Sequence, residues 1–373
     1  MHAGDTTGII RRMIGTTIAI DVQSAARTAV DAEAKIVSRA VRILRDGGLV
    51  ALPTETVYGL GADATNARAV EKIFAAKGRP QTNPLIVHVA DSSVARRFAT
   101  AWPPAAQRLA TALWPGPLTL VLPKASMIVD EATAGQSTVA LRAPDHPLAQ
   151  KVLLGFGGPV AAPSANRSSR VSPTTAQHVR RDLGRRVDLI LDGGPCRVGI
   201  ESTVLDLTRD PPMILRPGGV SREALEELIG PVEIFSGSAT GIASSPGQQT
   251  VHYAPSAAAF RFVAAEASKV LEFARSHPSI KVVVLALEDS PSRSALAKGL
   301  DRRNIIEMPS APDDYARQFY AALRDADERA GAIWVEEPPP MPPWLAIRDR
   351  INRATRNWPG AGARNRPDTG RLC

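Results

Sequence analysis

The segment from Pro53 to Val89 constrains the fold more than any other part of the chain. It reads PTETVYGLGADATNARAVEKIFAAKGRPQTNPLIVHV. An apolar strand at 49–52 ends at the proline, and a polar turn and two glycines lead into a helix that ends at Lys77. A second apolar strand is predicted at 85–89. The segment therefore predicts a strand, a helix and a strand, with polar loops at their junctions.

Two cations lie at the end of the predicted helix. Lys77 and Arg79 flank Gly78, and the prolines that follow stiffen the loop that leads to the strand carrying His88. This arrangement is typical of an anion site with polar walls. Taken alone, however, a Lys-x-Arg pair beside glycine is usually a solvated helix end, and a histidine on an apolar strand is usually a core residue.

Strands and helices alternate irregularly up to about residue 232, which favours an α/β domain on a twisted mixed sheet with functional groups on its loops. The segment 235–255 breaks this pattern because it is rich in Ser, Gly, Ala and Thr. From Ala257 onward, alternation returns and predicts a smaller Rossmann-like domain. That domain has no GxGxxG motif, which argues against independent dinucleotide binding.

Length and charge set the outer limits of the interpretation. The chain has 373 residues with 44% hydrophobic content, enough for two domains. The net charge is +8, but residues 347–373 alone hold seven Arg and two Asp, or +5. The folded body is therefore only mildly basic, and we expect a solvated, disordered tail that could still contact nucleic acid.

Cysteine usage and hydropathy indicate the cellular setting. The two cysteines, Cys196 and Cys373, have neither a disulfide-framework nor a metal-site spacing, which fits a reducing cytoplasm. No uninterrupted apolar run is long enough to span a bilayer, and the N-terminus lacks a signal-peptide pattern. We therefore expect a cytoplasmic protein without a membrane segment.

Four motifs together are far more specific than any one of them. PTETVYGLGADA, KGRPxxNPLIVHV, LRAP at Arg142 and APSAN ending at Asn166 occur in this order. In order and spacing they resemble the L-threonylcarbamoyladenylate synthase family, over roughly residues 19–232. The resemblance implies a YrdC-like catalytic domain with an open basic cavity, joined to a small Rossmann-like domain.

The resemblance implies a reaction without a covalent enzyme intermediate. Members of the family condense L-threonine, bicarbonate and ATP to threonylcarbamoyl-AMP and pyrophosphate, the first step of a tRNA modification. Such chemistry requires cations on the triphosphate, recognition of a small amino acid and in-line positioning. Mg²⁺ is expected on the phosphates, since the sequence holds no obvious carboxylate cage. The expected recipient of the product is the tRNA threonylcarbamoyl transferase, with tRNA itself close by.

The family pattern assigns site residues position by position. Lys77 and Arg79 correspond to the catalytic cation pair. The residues implied in ATP binding are Arg79, Asn83, Thr138, Ser164, Asn166, Ser172, Arg216 and Tyr253. The residues implied in L-threonine binding are Thr56, His88, Arg142, Ala162 through its backbone, and Ser202. Arg142 is suited to a bidentate grip on the substrate carboxylate. No protein ligand to a metal is assigned.

The end of the linker is implied to act as a lid. His252 and Tyr253 lie in SPGQQTVHYAP, which departs from the expected SPGMK-like form but keeps the tyrosine. We expect the following divisions: a loose leader at 1–18, the catalytic domain at 19–232, a linker and lid at 233–256, the Rossmann-like domain at 257–357 and a basic tail at 358–373.

Two interpretations from other classes compete with the synthase. A basic groove could bind RNA in a ribosome-associated factor, but the body is poor in aromatic residues and carries no RNA-binding signature. A related enzyme could make carbamoyl-adenylate for metallocentre maturation, but such enzymes carry zinc-finger segments and this chain has no CxxC. Both alternatives explain fewer of the motifs than the synthase does.

Overall fold

The computed structural model describes residues 22–235 and 253–358. The predicted leader at 1–18, the linker residues 236–252 with His252, and tail residues 359–373 lie outside the described residues. Two sheets, each accompanied by helices, account for the described chain. This confirms the predicted α/β class.

The first sheet has ten strands. They are β1 (Val50–Leu52), β2 (Gly59–Asp63), β3 (Ile86–His88), β4 (Leu118–Pro123), β5 (Thr138–Arg142), β6 (Val160–Ala161), β7 (Leu189–Ile190), β8 (Thr203–Asp206), β9 (Met213–Arg216) and β10 (Glu233–Ile234). Their spatial order is β10-β9-β8-β4-β5-β3-β6-β2-β1-β7. β3 pairs parallel with β5, whereas β4 pairs antiparallel with β5. The sheet is therefore mixed, as predicted.

Eight α-helices belong to this part of the described chain. They are α1 (Val22–Arg45), α2 (Ala67–Lys77), α3 (Ser92–Arg96), α4 (Pro104–Leu113), α5 (Asp130–Thr133), α6 (Pro147–Phe156), α7 (Ala176–Asp182) and α8 (Arg222–Ile229). The spacing of apolar residues predicts a helix from Ala32 to Arg45, and α1 begins ten residues before that predicted start. The added stretch contains neither glycine nor proline, so nothing in it interrupts a helix.

The prediction that the chain crosses Gly59 and Gly61 directly into a helix is wrong. These glycines begin β2, which pairs antiparallel with both β1 and β6. A Cβ on Gly61 would lie 3.1 Å from the Val50 backbone oxygen, so the close approach of the strands requires glycine there. α2 starts only after Asn66, whose side chain accepts a hydrogen bond from the Ala69 backbone N–H.

The second sheet is wholly parallel and has five strands. They are β11 (Ala258–Phe262), β12 (Val282–Leu287), β13 (Ile305–Met308), β14 (Ala332–Glu336) and β15 (Arg356–Asn357), in the order β13-β12-β14-β11-β15. The accompanying helices are α9 (Ala267–Ser276), α10 (Pro291–Leu296), α11 (Pro312–Arg329) and α12 (Leu345–Ala354). Trp358, assigned to the tail, packs its ring 5.0 Å from that of Phe260.

α11 and α12 pack against loops of the first sheet. Val57, Val171 and Ile200 share one buried cluster with residues of these two helices, among them Phe319 and Ile351. The backbones come close as well: a Cβ on Gly199 would lie 2.5 Å from the Ala316 backbone oxygen, and Gly199 has φ +82°. Only glycine fits that position without displacing α11.

Among the described residues, no helix combines the length and the apolar character needed to cross a bilayer.

Candidate active site

A cavity opens at the strand ends near the middle of the first sheet. Twelve residues line it: Val57, Gly59, Arg79, Ile86, His88, Arg142, Ala162, Pro163, Ser164, Glu201, Arg216 and Tyr253. Seven of them are predicted site residues, namely Arg79, His88, Arg142, Ala162, Ser164, Arg216 and Tyr253. Predicted site residues that are as far apart in sequence as Arg79 and Tyr253 thus line one cavity.

Arg142 lies at the end of β5, level with His88 on the parallel strand β3. Its guanidinium forms an ion pair with Glu55 at 2.8 Å and donates to Thr56 Oγ1 at 2.9 Å and to the Gly116 backbone oxygen at 3.2 Å. Arg142 is therefore held from several sides before any ligand arrives. These contacts engage Nε and one terminal nitrogen of a guanidinium that lines the cavity.

His88 is buried beside that arginine. Burial and the charge of Arg142 hold the pKa of His88 well below its usual range, so the imidazole is neutral at physiological pH. Its Nδ1 has no hydrogen-bond partner among the described residues. A neutral ring with a free nitrogen in a cavity wall is suited to a polar ligand group.

Arg79 follows the left-handed Gly78, which ends α2 with φ 61°. Its Nε donates to the Asn83 backbone oxygen at 3.3 Å and one terminal nitrogen donates to that of Pro84 at 3.1 Å. Burial lowers the pKa of Arg79 to about 10, which leaves it charged at physiological pH. Arg216, at the end of β9, brings a second guanidinium into the same wall.

Lys77 is not part of the cavity wall among the described residues. Its Nζ donates to the backbone oxygens of Ser164 and of Asn166, the latter at 2.6 Å. Burial, and then the nearby charge of Arg79, lower the pKa of Lys77. The structure therefore places Lys77 beneath the APSAN loop, where it fixes the loop that presents Ser164 to the cavity.

The other predicted residues surround the cavity without lining it. Ser202 Oγ lies 2.8 Å from Thr119 Oγ1, and its backbone oxygen accepts from Arg216 at 3.0 Å. Asn83 is buried, and neither side-chain nitrogen nor oxygen has a hydrogen-bond partner among the described residues. Thr138, at the start of β5, is partly exposed. Thr56, Asn166 and Ser172 are buried next to lining residues.

Sequence reasoning missed two buried carboxylates. Glu55 pairs with Arg142, and its other oxygen accepts from the Asp145 backbone N–H at 3.0 Å. Glu201 lines the cavity and accepts from Ser172 Oγ at 2.6 Å. The available signal was their position, since each immediately precedes a residue assigned to threonine binding, Thr56 or Ser202.

Glu201 is held ionised by a residue of the second domain. Burial opposes its ionisation, but the charges of Arg350 and Arg216 outweigh burial and lower the pKa of Glu201 to about 2. Arg350 Nε donates to it at 2.7 Å, and the Tyr320 hydroxyl donates at 2.9 Å. The wall of the cavity thus includes a carboxylate whose partners come from α11 and α12.

Tyr253, where the described chain resumes, closes one side of the cavity. Its side chain is 1% exposed and its backbone has the unusual φ of 65°. The ring lies 5.7 Å from the Tyr320 ring, and the Arg350 guanidinium carbon lies 5.3 Å from its centre. The next residue, Ala254, donates its backbone N–H to the Ser169 oxygen at 2.9 Å.

The described residues contain no group of three or more His, Cys, Asp or Glu that could hold a metal ion. The carboxylate in the cavity wall, Glu201, is already engaged by Arg350. These residues therefore do not form a protein-built magnesium cage.

Comparison with known proteins decides between the competing interpretations. The family described as Telomere recombination matches residues 42–218, and the one described as Threonylcarbamoyl-AMP synthase, C-terminal domain matches residues 220–355. A threonylcarbamoyl-AMP synthase of Pyrococcus abyssi is 40% identical over 325 residues, which cover 85% of this chain and 93% of that protein. The chain belongs to the threonylcarbamoyl-AMP synthase family.

Other similarities extend over the same length. The threonylcarbamoyl-AMP synthase of Bacillus subtilis is 42% identical over 328 residues, 85% of this chain and 92% of that protein. The crystal structure of P. abyssi Sua5 complexed with L-threonine matches with a TM-score of 0.79 at 39% identity, covering 87% of this chain and 94% of that one. Membership of the synthase family confirms the predicted fold and enzyme class over the RNA-binding and maturation alternatives.

Proposed function

We propose that this chain condenses L-threonine, bicarbonate and ATP to threonylcarbamoyl-AMP and pyrophosphate in the cavity lined by Arg79, Arg142 and Arg216. The observation that carries the proposal is that one cavity joins two kinds of wall. One wall holds an arginine oriented by a carboxylate and a hydroxyl, beside a neutral histidine. The other holds two arginines and the APSAN loop.

L-Threonine is assigned to the wall around Arg142. The guanidinium binds the substrate carboxylate, and its ion pair with Glu55 keeps it in orientation. Thr56 and His88 contact the amine and hydroxyl ends, while the Ala162 backbone and Ser202 complete the subsite. The P. abyssi Sua5 structure is complexed with L-threonine, which supports a threonine site in a fold of this kind.

ATP is assigned to the wall around Arg79 and Arg216. The two guanidinium groups neutralise phosphate charge, and Ser164 with its neighbouring backbone amides binds phosphate oxygens. Asn83 has both side-chain polar atoms unpaired among the described residues, which suits a nucleotide ligand. Thr138, Asn166, Ser172 and Tyr253 complete the proposed nucleotide subsite.

The chemistry requires positioning and no enzyme nucleophile. The threonine amine takes up bicarbonate to form a carbamate, with loss of water. A carbamate oxygen then attacks the α-phosphorus of ATP, a new P–O bond forms and pyrophosphate leaves. Arg79 stabilises the charge that develops on the phosphates, whereas Lys77 keeps the APSAN loop in place to receive them.

Mg²⁺ would arrive on the triphosphate oxygens with water as its other ligands, since the described residues form no cage for it. The product would pass to the tRNA threonylcarbamoyl transferase in the cytoplasm. We assign the catalytic domain to 19–232, the linker and lid to 233–256 and the Rossmann-like domain to 257–357.

Pyrophosphate release tests the activity directly. The purified chain should release pyrophosphate from ATP only when both L-threonine and bicarbonate are present, and mass spectrometry should detect threonylcarbamoyl-AMP. The Arg142→Met variant should lose the threonine-dependent release of pyrophosphate, and Arg197→Met, in an exposed ion pair with Asp145, is its matched control and should keep it. Release that is independent of threonine and bicarbonate would contradict the proposal.

A further inference from the structure

Ion pairs from two helices of the second domain reach the first domain near the cavity. Arg324 of α11 pairs with Asp182 at 2.6 Å and also donates to the Ser172 backbone oxygen at 3.3 Å. Arg350 of α12 pairs with Glu201 at 2.7 Å. Ser172 and Glu201 are in turn joined by a hydrogen bond of 2.6 Å. The second domain thus holds the same part of the first domain from two helices.

Arg350 is the more deeply placed of the two arginines. It is 0% exposed, and besides Glu201 it donates to the Pro217 backbone oxygen at 2.9 Å. Pro217 follows Arg216, one of the two guanidinium groups of the ATP wall. A single side chain therefore contacts a lining carboxylate and the backbone next to a lining arginine.

The same guanidinium faces the ring of Tyr253. Its central carbon lies 5.3 Å from the ring centre, within the range of a cation–π contact. The Tyr320 hydroxyl donates to Glu201 while its ring lies 5.7 Å from that of Tyr253. Glu201, Arg350, Tyr320 and Tyr253 form one buried cluster, and two of its members line the cavity.

We propose that Arg350 is a positioning residue for the ATP side of the cavity: from the second domain it holds Glu201 and Tyr253 in the places that nucleotide binding requires. The inference rests on the proposed function, because it uses the assignment of this wall to ATP. It gives the second domain a task in catalysis, since α12 supplies a part that the first domain lacks.

Charge determines what loss of Arg350 would do. Glu201 is buried in the cavity wall, and without Arg350 it would present a poorly compensated carboxylate toward a polyanionic triphosphate. The ring of Tyr253 would lose its cationic partner at the same time. Both effects weaken ATP binding, whereas Arg142 on the threonine wall is held by Glu55, Thr56 and Gly116 of the first domain.

Steady-state kinetics of the full-length chain test this assignment. In Arg350→Met we expect the KM for ATP to rise on the order of tenfold to a hundredfold, with the KM for L-threonine changed much less. Arg350→Lys should recover part of the loss. In Arg350→Met with Glu201→Gln, the buried negative charge that Arg216 alone would have to compensate is gone, and the KM for ATP should fall back toward the wild-type value.

Arg348→Met is the matched control. Arg348 lies on the same helix and pairs with Glu337 at 2.9 Å, a contact inside the second domain. The KM of the Arg348→Met chain for ATP should equal that of the wild type. Thermal unfolding of every variant identifies the temperature at which all of them are folded, and the kinetics are compared there.

Hydrogen exchange in the absence of ligands supplies a readout that does not depend on activity. The Ala254 amide, bonded to Ser169, should exchange faster in Arg350→Met than in the wild type or in Arg348→Met. A folded Arg350→Met chain with wild-type KM for ATP and unchanged exchange at Ala254 would overturn the inference and leave the proposed function standing. A wild-type chain without threonine-dependent pyrophosphate release would instead overturn the proposed function.

Discussion

The Nζ atom of Lys77 lies 2.6 Å from the backbone oxygen of Asn166, a residue 89 positions further along the chain. Together with its hydrogen bond to the Ser164 backbone oxygen, this contact ties the end of α2 to the APSAN loop. Lys77 is 2% exposed, so the bond is shielded from water. The two members of the KGR motif consequently have different surroundings: Arg79 lines the cavity and Lys77 supports its wall.

Both cations should be needed for turnover and for full stability. Arg79→Met should lower the rate of pyrophosphate release on the order of a hundredfold, because a guanidinium that lines the cavity is lost, and should destabilise the fold by about 1–3 kcal/mol, because the Asn83 and Pro84 backbone oxygens lose their donor. Lys77→Met should lower the rate through displacement of the APSAN loop and should destabilise the fold by a similar amount, because the Ser164 and Asn166 backbone oxygens lose their donor. Urea unfolding and pyrophosphate release measure the two effects.

Lys72→Met is the control for both variants, since Lys72 lies exposed on the same helix and donates to the Gly47 backbone oxygen away from the cavity. It should retain wild-type rate. An Arg79→Met chain with wild-type activity would remove Arg79 from the phosphate site.

Amino-acid selectivity should follow from Thr56 and His88. Serine lacks the methyl group of threonine and should be used about 10–200-fold less well. Valine should be worse still, because it leaves buried polar groups unpaired. Competing substrates in the pyrophosphate assay give the ratios of kcat/KM. Equal use of the three amino acids would exclude both residues from the substrate site.

Tyr253 should act through its ring. Tyr253→Ala should raise the KM for ATP and allow product to hydrolyse before release, because the side chain that closes the cavity is lost. Tyr253→Phe keeps the contacts with Tyr320 and Arg350 and should remain close to wild type. If Tyr253→Ala consumes ATP as the wild type does, the linker serves as a tether alone.

Cutting the chain after Val232 should produce a more severe form of the same defect. Besides Tyr253, the cut removes Arg350 and Tyr320, two of the partners of Glu201, and uncovers Val57, Val171 and Ile200. The first domain should still fold around its own core but bind ATP weakly. Circular dichroism and ATP binding of the shortened chain provide the measurement.

Stability should fall as the pH drops from about 6.5 to about 4, and His178 should account for part of the loss. Burial, and then the charges of Arg324 and Arg181, lower the pKa of His178 to about 4. Between these values the unfolded chain binds a proton that the folded chain does not, so the free energy of unfolding decreases as the pH falls. Because the ring is partly exposed, screening leaves a contribution of about 1–2 kcal/mol.

His178→Gln should flatten the pH dependence of stability across this window. Urea unfolding at several pH values between 4 and 7 measures it, with His277→Gln, at the half-buried residue that follows α9, as the control. A variant with the wild-type slope would contradict the assignment. Buried His88, whose pKa is also lowered, should keep part of the acid sensitivity in either variant.

The local sequence pattern was sufficient to predict the cavity-lining residues that lie within short motifs. The KGRPxxNPLIVHV, LRAP and APSAN segments predicted five of the lining residues, because strand ends and tight loops fix where those side chains emerge. The position of β2 was not predictable in the same way. A strand that begins with two glycines in three residues looks like a turn until its pairing with β1 and β6 is known.

Contacts between segments that are distant in the sequence could not be predicted either. Glu201 and Arg350 are 149 positions apart, and neither residue has a motif that marks it. Their pairing depends on how α12 packs against the first domain, which hydrophobic periodicity within one helix does not specify. Likewise, Lys77 was correctly placed at the end of a helix, but the direction of its ammonium group depends on a loop that sequence alone does not locate.

The fit of Gly199 against the Ala316 backbone bears on how such proteins can be recombined. A chimaera that joined this catalytic half to the second half of another synthase would need glycine at position 199 and a carboxylate at position 201. If a side chain at position 199 displaced the helices of the second half outward, Arg350 would be separated from Glu201 while both halves stayed folded. Exchange of whole halves between relatives should thus succeed only when Gly199 and Glu201 are kept together with the helices that they contact.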